Sequence, residues 1–392
     1  MPGDVLSTWK QTLAKGLRAL EQQHQRRTLA VVQGIDFCSN DYLGLAEHPA
    51  LREAVVRAVE NSARVGGTAS RLLSGQTDGW RRLEEEFAQF AGTEAALFFS
   101  SGYAANVGLL SSLVGPDDVV YSDILNHASL IDGMRLSGAR KVIYPHLDLS
   151  ALENSLRQDD GAPWRRVIVS ESVFSMNGDV APLKEMAALA EQFGAAMIVD
   201  EAHATGVYGK GGCGLAAETG ILPHVLATIH TCGKALASAG AFVCGPAVMK
   251  DHLINHARTF IFSTALPPYF AEQISAALNL AIGMDMERQT LLKRADALNT
   301  ALRRAGFDTG GSASQIVPVI LGSNEDTVQA AEQLQREGFA VRAIRPPTVP
   351  LGRARLRLSL TARIAEEDLA RLVKVLVAWR EAKAPRLTTR YA

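Results

Sequence analysis

The sequence predicts an α/β protein built on a mainly parallel, seven-stranded sheet, with a smaller α+β region after it. Three observations lead there. Seven short apolar runs (residues 95–99, 118–121, 141–144, 166–170, 196–199, 226–230 and 241–244) alternate with segments of helical spacing between residues 48 and 280. Most runs are continuously apolar, as expected of strands covered by helices on both faces, and right-handed crossovers then order them into one sheet. Chemistry-bearing residues also fall where runs end, at Ser101-Gly102, Asp200 and Thr231. That is the edge at which open α/β sheets bind ligands.

The elements follow in order. Residues 6–27 have the spacing of an amphipathic helix with a basic face. An extended piece, 34–38, then enters Ser39-Asn40-Asp41-Tyr42-Leu43-Gly44. Segment 182–193 carries helical spacing between two of the apolar runs, and Pro267-Pro268 opens a helical stretch to about residue 305. Beyond it, 316–321, 340–344 and 354–360 read as strands, interleaved with helices at 324–337 and 366–382. The expected organisation is an N-terminal helix and extended segment (1–47), a large domain (48–285) and a small C-terminal α+β domain (286–392).

Composition narrows the function. A chain of 392 residues is long enough for a large core with appendages. A formal net charge of -1 gives no electrostatic reason to expect nucleic acid or an anionic membrane as partner. No stretch approaches the length of a membrane span. The start, Met1-Pro2-Gly3-Asp4, lacks a basic segment followed by an apolar one, so the cytoplasm is the expected location. The four cysteines, Cys38, Cys213, Cys232 and Cys244, form no C-x-x-C pair, so neither a metal such as zinc nor a disulfide framework is expected. Cys232 reads as a small buried filler rather than a nucleophile.

Candidate chemistry centres on Lys234, in His230-Thr231-Cys232-Gly233-Lys234. Upstream, Val199-Asp200-Glu201-Ala202-His203 ends an apolar strand in a carboxylate and an imidazole. A lysine amine able to form a Schiff base, with an acidic partner for a pyridine nitrogen, is what pyridoxal phosphate (PLP) chemistry requires. Unpaired buried charge is costly, and a protonated pyridine nitrogen would partner Asp200; helix capping is the structural alternative. Gly102 and Tyr103 open a strand–turn–helix connection whose free amides suit a phosphate. In Asn126-His127-Ala128-Ser129, His127 could stack on a flat ring or transfer protons. Ser175 follows the run ending near Ser170, among turn residues. Arg355 and Arg357 alternate onto one face of an apolar strand, where an anion is usually in reach, either a substrate carboxylate or a structural one.

Six motifs together resemble the α-oxoamine synthases, PLP enzymes of the aspartate aminotransferase fold (fold type I). They are Ser39-Asn40-Asp41-Tyr42-Leu43-Gly44, Ser70-Arg71-Leu72-Leu73-Ser74-Gly75, Asn126-His127-Ala128-Ser129, Asp200-Glu201-Ala202-His203, Thr231-Cys232-Gly233-Lys234 and Phe262-Ser263-Thr264. They occur in order over essentially the whole chain. The resemblance implies a homodimeric enzyme that condenses an amino acid with an acyl thioester and releases carbon dioxide. Segment 343–350 followed by 354–359 looks most like the members that join L-alanine to a pimeloyl thioester, carried by coenzyme A or acyl carrier protein. Members that join glycine to acetyl-CoA are the first alternative, followed by other α-oxoamine synthases such as 5-aminolevulinate synthase and serine palmitoyltransferase. A catalytically silent subunit of the same fold is disfavoured by the presence of Lys234, Asp200 and His203.

The resemblance also assigns roles. Lys234 would hold the cofactor and remove the Cα proton, Asp200 would meet the pyridine nitrogen, His127 would stack on the ring, and His203 would contact its phenolic oxygen. Gly102, Tyr103, Ser175 and Thr231 would complete the cofactor shell. Arg357 would bind the amino acid carboxylate, while Arg27 and Thr348 would meet the acyl donor. Ser263 and Thr264 would reach the phosphate of a neighbouring subunit. The chain departs from the family at Trp80, where a histidine is usual, and in 235–241, where alanines stand at positions often held by glycine.

Overall fold

Each of the seven apolar runs becomes a strand whose bounds lie within two residues of those predicted. The computed structural model describes residues 5–31, 33–161 and 163–383; residues 1–4, read above for a leader, lie outside that set. After a two-residue strand β1 (Ile35–Asp36) come β2 (Ala95–Phe99), β3 (Asp118–Asp123), β4 (Arg140–Tyr144), β5 (Arg165–Glu171), β6 (Ala195–Asp200), β7 (Val225–Thr231) and β8 (Ala241–Gly245). The last seven form one sheet in the order β2-β8-β7-β6-β5-β3-β4. Neighbours from β7 through β4 are parallel, so the loops after β3, β5, β6 and β7 open on one edge. Because β8 runs antiparallel to both β2 and β7, those two run the same way. The loop after β2 therefore opens on that edge as well.

A second sheet has the order β11-β12-β9, from β9 (Ile316–Gly322), β11 (Ala343–Ile344) and β12 (Ala354–Ser359), all antiparallel. The single strand expected at 340–344 is in fact two. β10 (Phe339–Ala340) pairs with β1, Ile35 opposite Phe339, while β11 pairs with β12. The chain changes partners between them, which one straight strand could not do.

The helical stretch expected from Pro267 to 305 is also two helices, Tyr269–Ile282 and Asp285–Arg304. Arg288, buried at the joint, donates to the carbonyls of Ala281 and Ile282 and so satisfies the end of the first helix. The N-terminal helix spans Val5–Gln22 and stops short of residue 27, since His24 takes a left-handed φ of 52°. None of its residues is buried; Leu6, Trp9, Leu13 and Leu17 form an exposed apolar stripe.

Both departures from the family lie in the packing. Trp80 is wholly buried and stacks on Phe98, ring centroids 4.4 Å apart, beside Phe87 stacked on Phe242 at 3.9 Å. In the alanine-rich segment, Ala237 holds a φ of 44°, a conformation that glycine adopts without strain and alanine does not. Among the described residues no helix is long and apolar enough to cross a membrane.

Candidate active site

Four strand ends and one helix start enclose a cavity of about 200 Å³. β5 contributes Glu171, β6 contributes Asp200 with Ala202 and His203 just beyond it, and β7 contributes Thr231 and then Lys234. His127 and Ser129 follow β3, and the helix Gly102–Leu113 adds Gly102, Tyr103 and Asn106. A larger groove of about 910 Å³ lies elsewhere, beside the helices Pro49–Glu60 and Tyr269–Ile282. Its charged residues pair at the surface, Arg82 with Glu272, Arg57 with Glu53 and Asp78 with Arg81, and among the described residues no buried titratable group faces it.

Asp200 is held by neutral donors alone. Its Oδ1 accepts from the Ala202 amide at 2.9 Å and its Oδ2 from Asn106 Nδ2 at 2.7 Å. Among the described residues it has no ion-pair partner, although it is buried. The same Asn106 amide donates to Ser129 Oγ at 2.9 Å, and that hydroxyl lies 2.7 Å from His127 Nδ1. The Ser129 amide also donates to His127 Nδ1, which makes Nδ1 an acceptor and places the proton of the neutral ring on Nε2. Asn106 and Ser129 thus tie the orientation of His127 to the carboxylate of Asp200.

Lys234 enters the cavity opposite. Its Nζ lies 2.9 Å from His203 Nε2, and His203 Nδ1 lies 2.6 Å from the hydroxyl of Tyr42. Tyr42 donates to Asn40 Oδ1, which also accepts both terminal nitrogens of Arg357 at 3.1 Å. One hydrogen-bonded chain therefore runs from Lys234 through His203, Tyr42 and Asn40 to Arg357. Arg357 Nε donates to the carbonyl of Ser175 at 2.6 Å. Of the two partners expected for Arg357, the structural carboxylate is absent among the described residues, so this buried guanidinium retains capacity for an anion.

Burial dominates the electrostatics. It lowers the Lys234 amine to about 8, helped by Arg357 and opposed by Asp200 and Glu171. Burial, with Lys234, Arg357 and His127 nearby, drives His203 well below its ordinary value, so the ring is neutral. Glu171, opposite Asp200 in the β5–β6 register, is raised by burial and by that neighbouring carboxylate. Its Oε2 accepts the Ser175 amide, while Oε1 has no protein partner.

The structure gathers Lys234, His127, Asp200, His203, Gly102, Tyr103 and Thr231 around one cavity. Tyr103 is half-exposed there, its hydroxyl donating to Asp132. Ser175 is not in the cavity wall; it stands behind Glu171 and against Arg357. Arg27 and Thr348 do meet, Nη2 to Oγ1 at 3.0 Å, but away from the cavity wall. Ser263 and Thr264 line a different, small cavity with Arg71 and Trp80. Cys232 is buried with its thiol raised by burial, which suits a filler.

Asn106, Ser129, Asn40 and Tyr42 each sit within a motif legible in the sequence, yet without a role there. Glu171 had no such signal, because only strand register sets it beside Asp200.

The residues present fit PLP. A half-buried amine and a buried carboxylate face one space without touching, a histidine ring is locked by its own network, and the first turn of the helix at Gly102 leaves amides free.

Residues 32–376 match the family model for class I and II aminotransferases, and the chain belongs to that family. It is 46% identical to the 8-amino-7-oxononanoate synthase of Geobacter sulfurreducens, over 95% of this chain and 96% of that one. It is 48% identical to the enzyme of the same name from Geobacter metallireducens, covering 89% and 90%. Among solved structures, an 8-amino-7-oxononanoate synthase from Francisella tularensis superposes with a TM-score of 0.77 at 29% identity, covering 89% of this chain and 98% of that one. A serine palmitoyltransferase from S. paucimobilis, with bound PLP–myriocin, gives 0.87 at 28% identity, covering 97% and 99%. The fold class expected from the motifs is the fold found.

The lowered amine has a measurable consequence. In cofactor-free protein, acylation of Lys234 by a small reagent, followed by peptide mass spectrometry, should rise with pH about a midpoint near 8, since only the neutral amine reacts. A midpoint at the ordinary lysine value of 10.5 would contradict the electrostatic account.

Proposed function

We propose that this protein condenses L-alanine with a pimeloyl thioester, releasing carbon dioxide and the thiol carrier, which is the reaction of an 8-amino-7-oxononanoate synthase in biotin biosynthesis. One observation carries the reading. A half-buried lysine amine with a lowered pKa and an unpaired buried carboxylate face one cavity, in a chain whose relatives at 46% and 48% identity bear that name.

PLP, when bound, supplies an electron sink for the charge left at the substrate Cα. The chain's own residues do the rest. Lys234 holds the cofactor and, once displaced by the amino acid, accepts the Cα proton at Nζ. An amine near 8 is neutral often enough at physiological pH to act as that base. Asp200 keeps a proton on the pyridine nitrogen, and its two neutral donors, Ala202 and Asn106, leave its charge uncancelled for that purpose. His127 covers the ring face. Neutral His203 contacts the phenolic oxygen while Tyr42 fixes its orientation. The amides at Gly102 and Tyr103, with Thr231, take the phosphate; Ser175 acts from behind the wall, through its carbonyl on Arg357.

Arg357 orients alanine by its carboxylate, and Arg27 with Thr348 meets the acyl donor, whether coenzyme A or acyl carrier protein brings it. A homodimer in the cytoplasm completes the reading: Ser263 and Thr264, absent from this cavity, reach the phosphate of the neighbouring subunit. The exposed apolar stripe of the helix Val5–Gln22 supports a partner surface.

Product analysis tests the reading directly. Holoenzyme given L-alanine and pimeloyl-CoA should yield 8-amino-7-oxononanoate; turnover confined to glycine and acetyl-CoA would reassign it to 2-amino-3-ketobutyrate CoA ligase chemistry, and none with either would indicate a silent subunit. Arg357→Lys keeps the charge but loses the two-pronged geometry. It should weaken alanine binding about tenfold or more, roughly 1.4 kcal/mol, with little change in melting temperature. Unchanged alanine affinity would remove Arg357 from the site.

A further inference from the structure

Three loops at the carboxyl edge of the sheet meet at His146, which the site above does not use. It follows β4, and both ring nitrogens face carboxylates. Nδ1 lies 2.9 and 3.1 Å from the two oxygens of Asp123, at the end of β3, and Nε2 lies 2.8 Å from Oδ2 of Asp179. A neutral imidazole has one N–H and cannot donate on both sides, whereas the imidazolium can. Both aspartates are buried, and the ring packs edge-on against Phe174 with centroids 4.5 Å apart. Burial works against the charge, but hydrogen bonds and attraction from the two carboxylates outweigh it and push His146 up to about 9.

Asp179 belongs to the loop 172–181, which is closed by its own backbone. The Phe174 amide donates to the Asp179 carbonyl, the Gly178 amide to Phe174, and the Ala181 amide to Ser172, each at 2.9 Å. This loop presents three acceptors to β12: the Ser175 carbonyl to Arg357, and the Met176 carbonyl and Asn177 Oδ1 to Arg355. Against the same sheet, Gly178 has a φ of 73°, and a Cβ there would lie 2.0 Å from the Ile316 carbonyl at the start of β9. The loop is therefore pressed against the second sheet on one side and tied to the first by His146 on the other.

We propose that His146 is a positioning residue for amino acid binding, fixing through Asp179 the loop whose Ser175 carbonyl sets the pose of Arg357. The proposal rests on reading Arg357 as the carboxylate clamp. The groups facing the ring are Asp123, Asp179 and Phe174; Tyr144 feels the field of Asp123, and Arg355 that of Asp179. Losing the ring proton would leave two buried carboxylates opposed across a neutral ring with one hydrogen bond broken. Because the folded-state value is raised, the contribution is complete below pH about 6.5 and lost as pH rises through about 9.

The test uses holoenzyme and L-alanine. His146→Asn should raise the alanine KM about tenfold at neutral pH while kcat stays within about threefold, the signature of lost positioning in the ground state. The unaltered enzyme should show a rise in alanine KM as pH passes through about 9, and the substitution should abolish that rise. Asp179→Asn keeps an acceptor but removes one charge, so the same rise should move to lower pH. An unchanged KM and pH profile in folded His146→Asn overturns the proposal; if that variant does not fold, an unmoved rise in Asp179→Asn overturns it. Arg357→Lys run in parallel separates the two readings. If it leaves the alanine KM unchanged, the clamp reading fails and takes this proposal with it. A raised KM there beside an unaffected His146→Asn removes His146 alone.

Discussion

A buried carboxylate, a half-buried amine and a buried guanidinium stand within reach of one sheet edge, and none is neutralised by direct contact with another. Asp200 is held by an amide N–H and Asn106, Lys234 by a neutral histidine, and Arg357 by two carbonyl-type oxygens. Buried charge without a partner costs several kcal/mol. A fold that keeps three such groups open needs a rigid frame to prevent collapse into ion pairs, and the strand ends supply it. Asp200 cannot move towards Lys234 without breaking the Asn106 and Ala202 bonds, and Arg357 cannot turn without leaving Ser175. On the proposed reading, the cost is offset when bound ligands bring a cationic nitrogen to Asp200, a carbonyl carbon to Lys234 and a carboxylate to Arg357.

The two sheets are coupled through that arrangement. Motif residues Asn40 and Tyr42 come from the N-terminal segment, which β1 fastens to β10 beside the second sheet. From there they span the distance between Arg357 on β12 and His203 beyond β6. The hydrogen-bonded chain joins the group that would bind the amino acid to the group that would take its proton. Ser359 also donates to Asn40 Oδ1, so one amide oxygen collects donors from two positions on β12. On the proposed reading, the motif Ser39–Gly44 is the strut between the residue that binds the amino acid and the one that takes its proton.

How much was legible depends on whether a signal is local. Apolar runs located all seven strands of the large sheet; most are buried on both faces, which leaves no alternation to blur them, while the edge strand β4 is largely exposed. Asp200, Lys234, His127 and His203 were legible as strand-end residues, and the structure brings them together. What failed was partnering across distance. The split of 340–344 follows from β1, three hundred residues away, and the break before Asp285 from one buried arginine reaching back to two carbonyls. Glu171 joined the cavity by register alone, and His146 gained its two carboxylates from separate loops. Ser175, placed in the cofactor shell by the resemblance, lies outside the cavity wall, and its carbonyl accepts from Arg357.

The account turns on Asp200 as an unneutralised carboxylate that sustains proton removal at the substrate Cα. Exchange of the alanine Cα hydrogen for deuterium, followed by NMR on holoenzyme without acyl donor, isolates that step. Asp200→Asn preserves shape and hydrogen-bonding capacity while removing the charge. The account predicts that exchange slows about a hundredfold or more, as when a preorganised electrostatic group is removed, with cofactor still bound. Exchange within about threefold of the unaltered enzyme would contradict it.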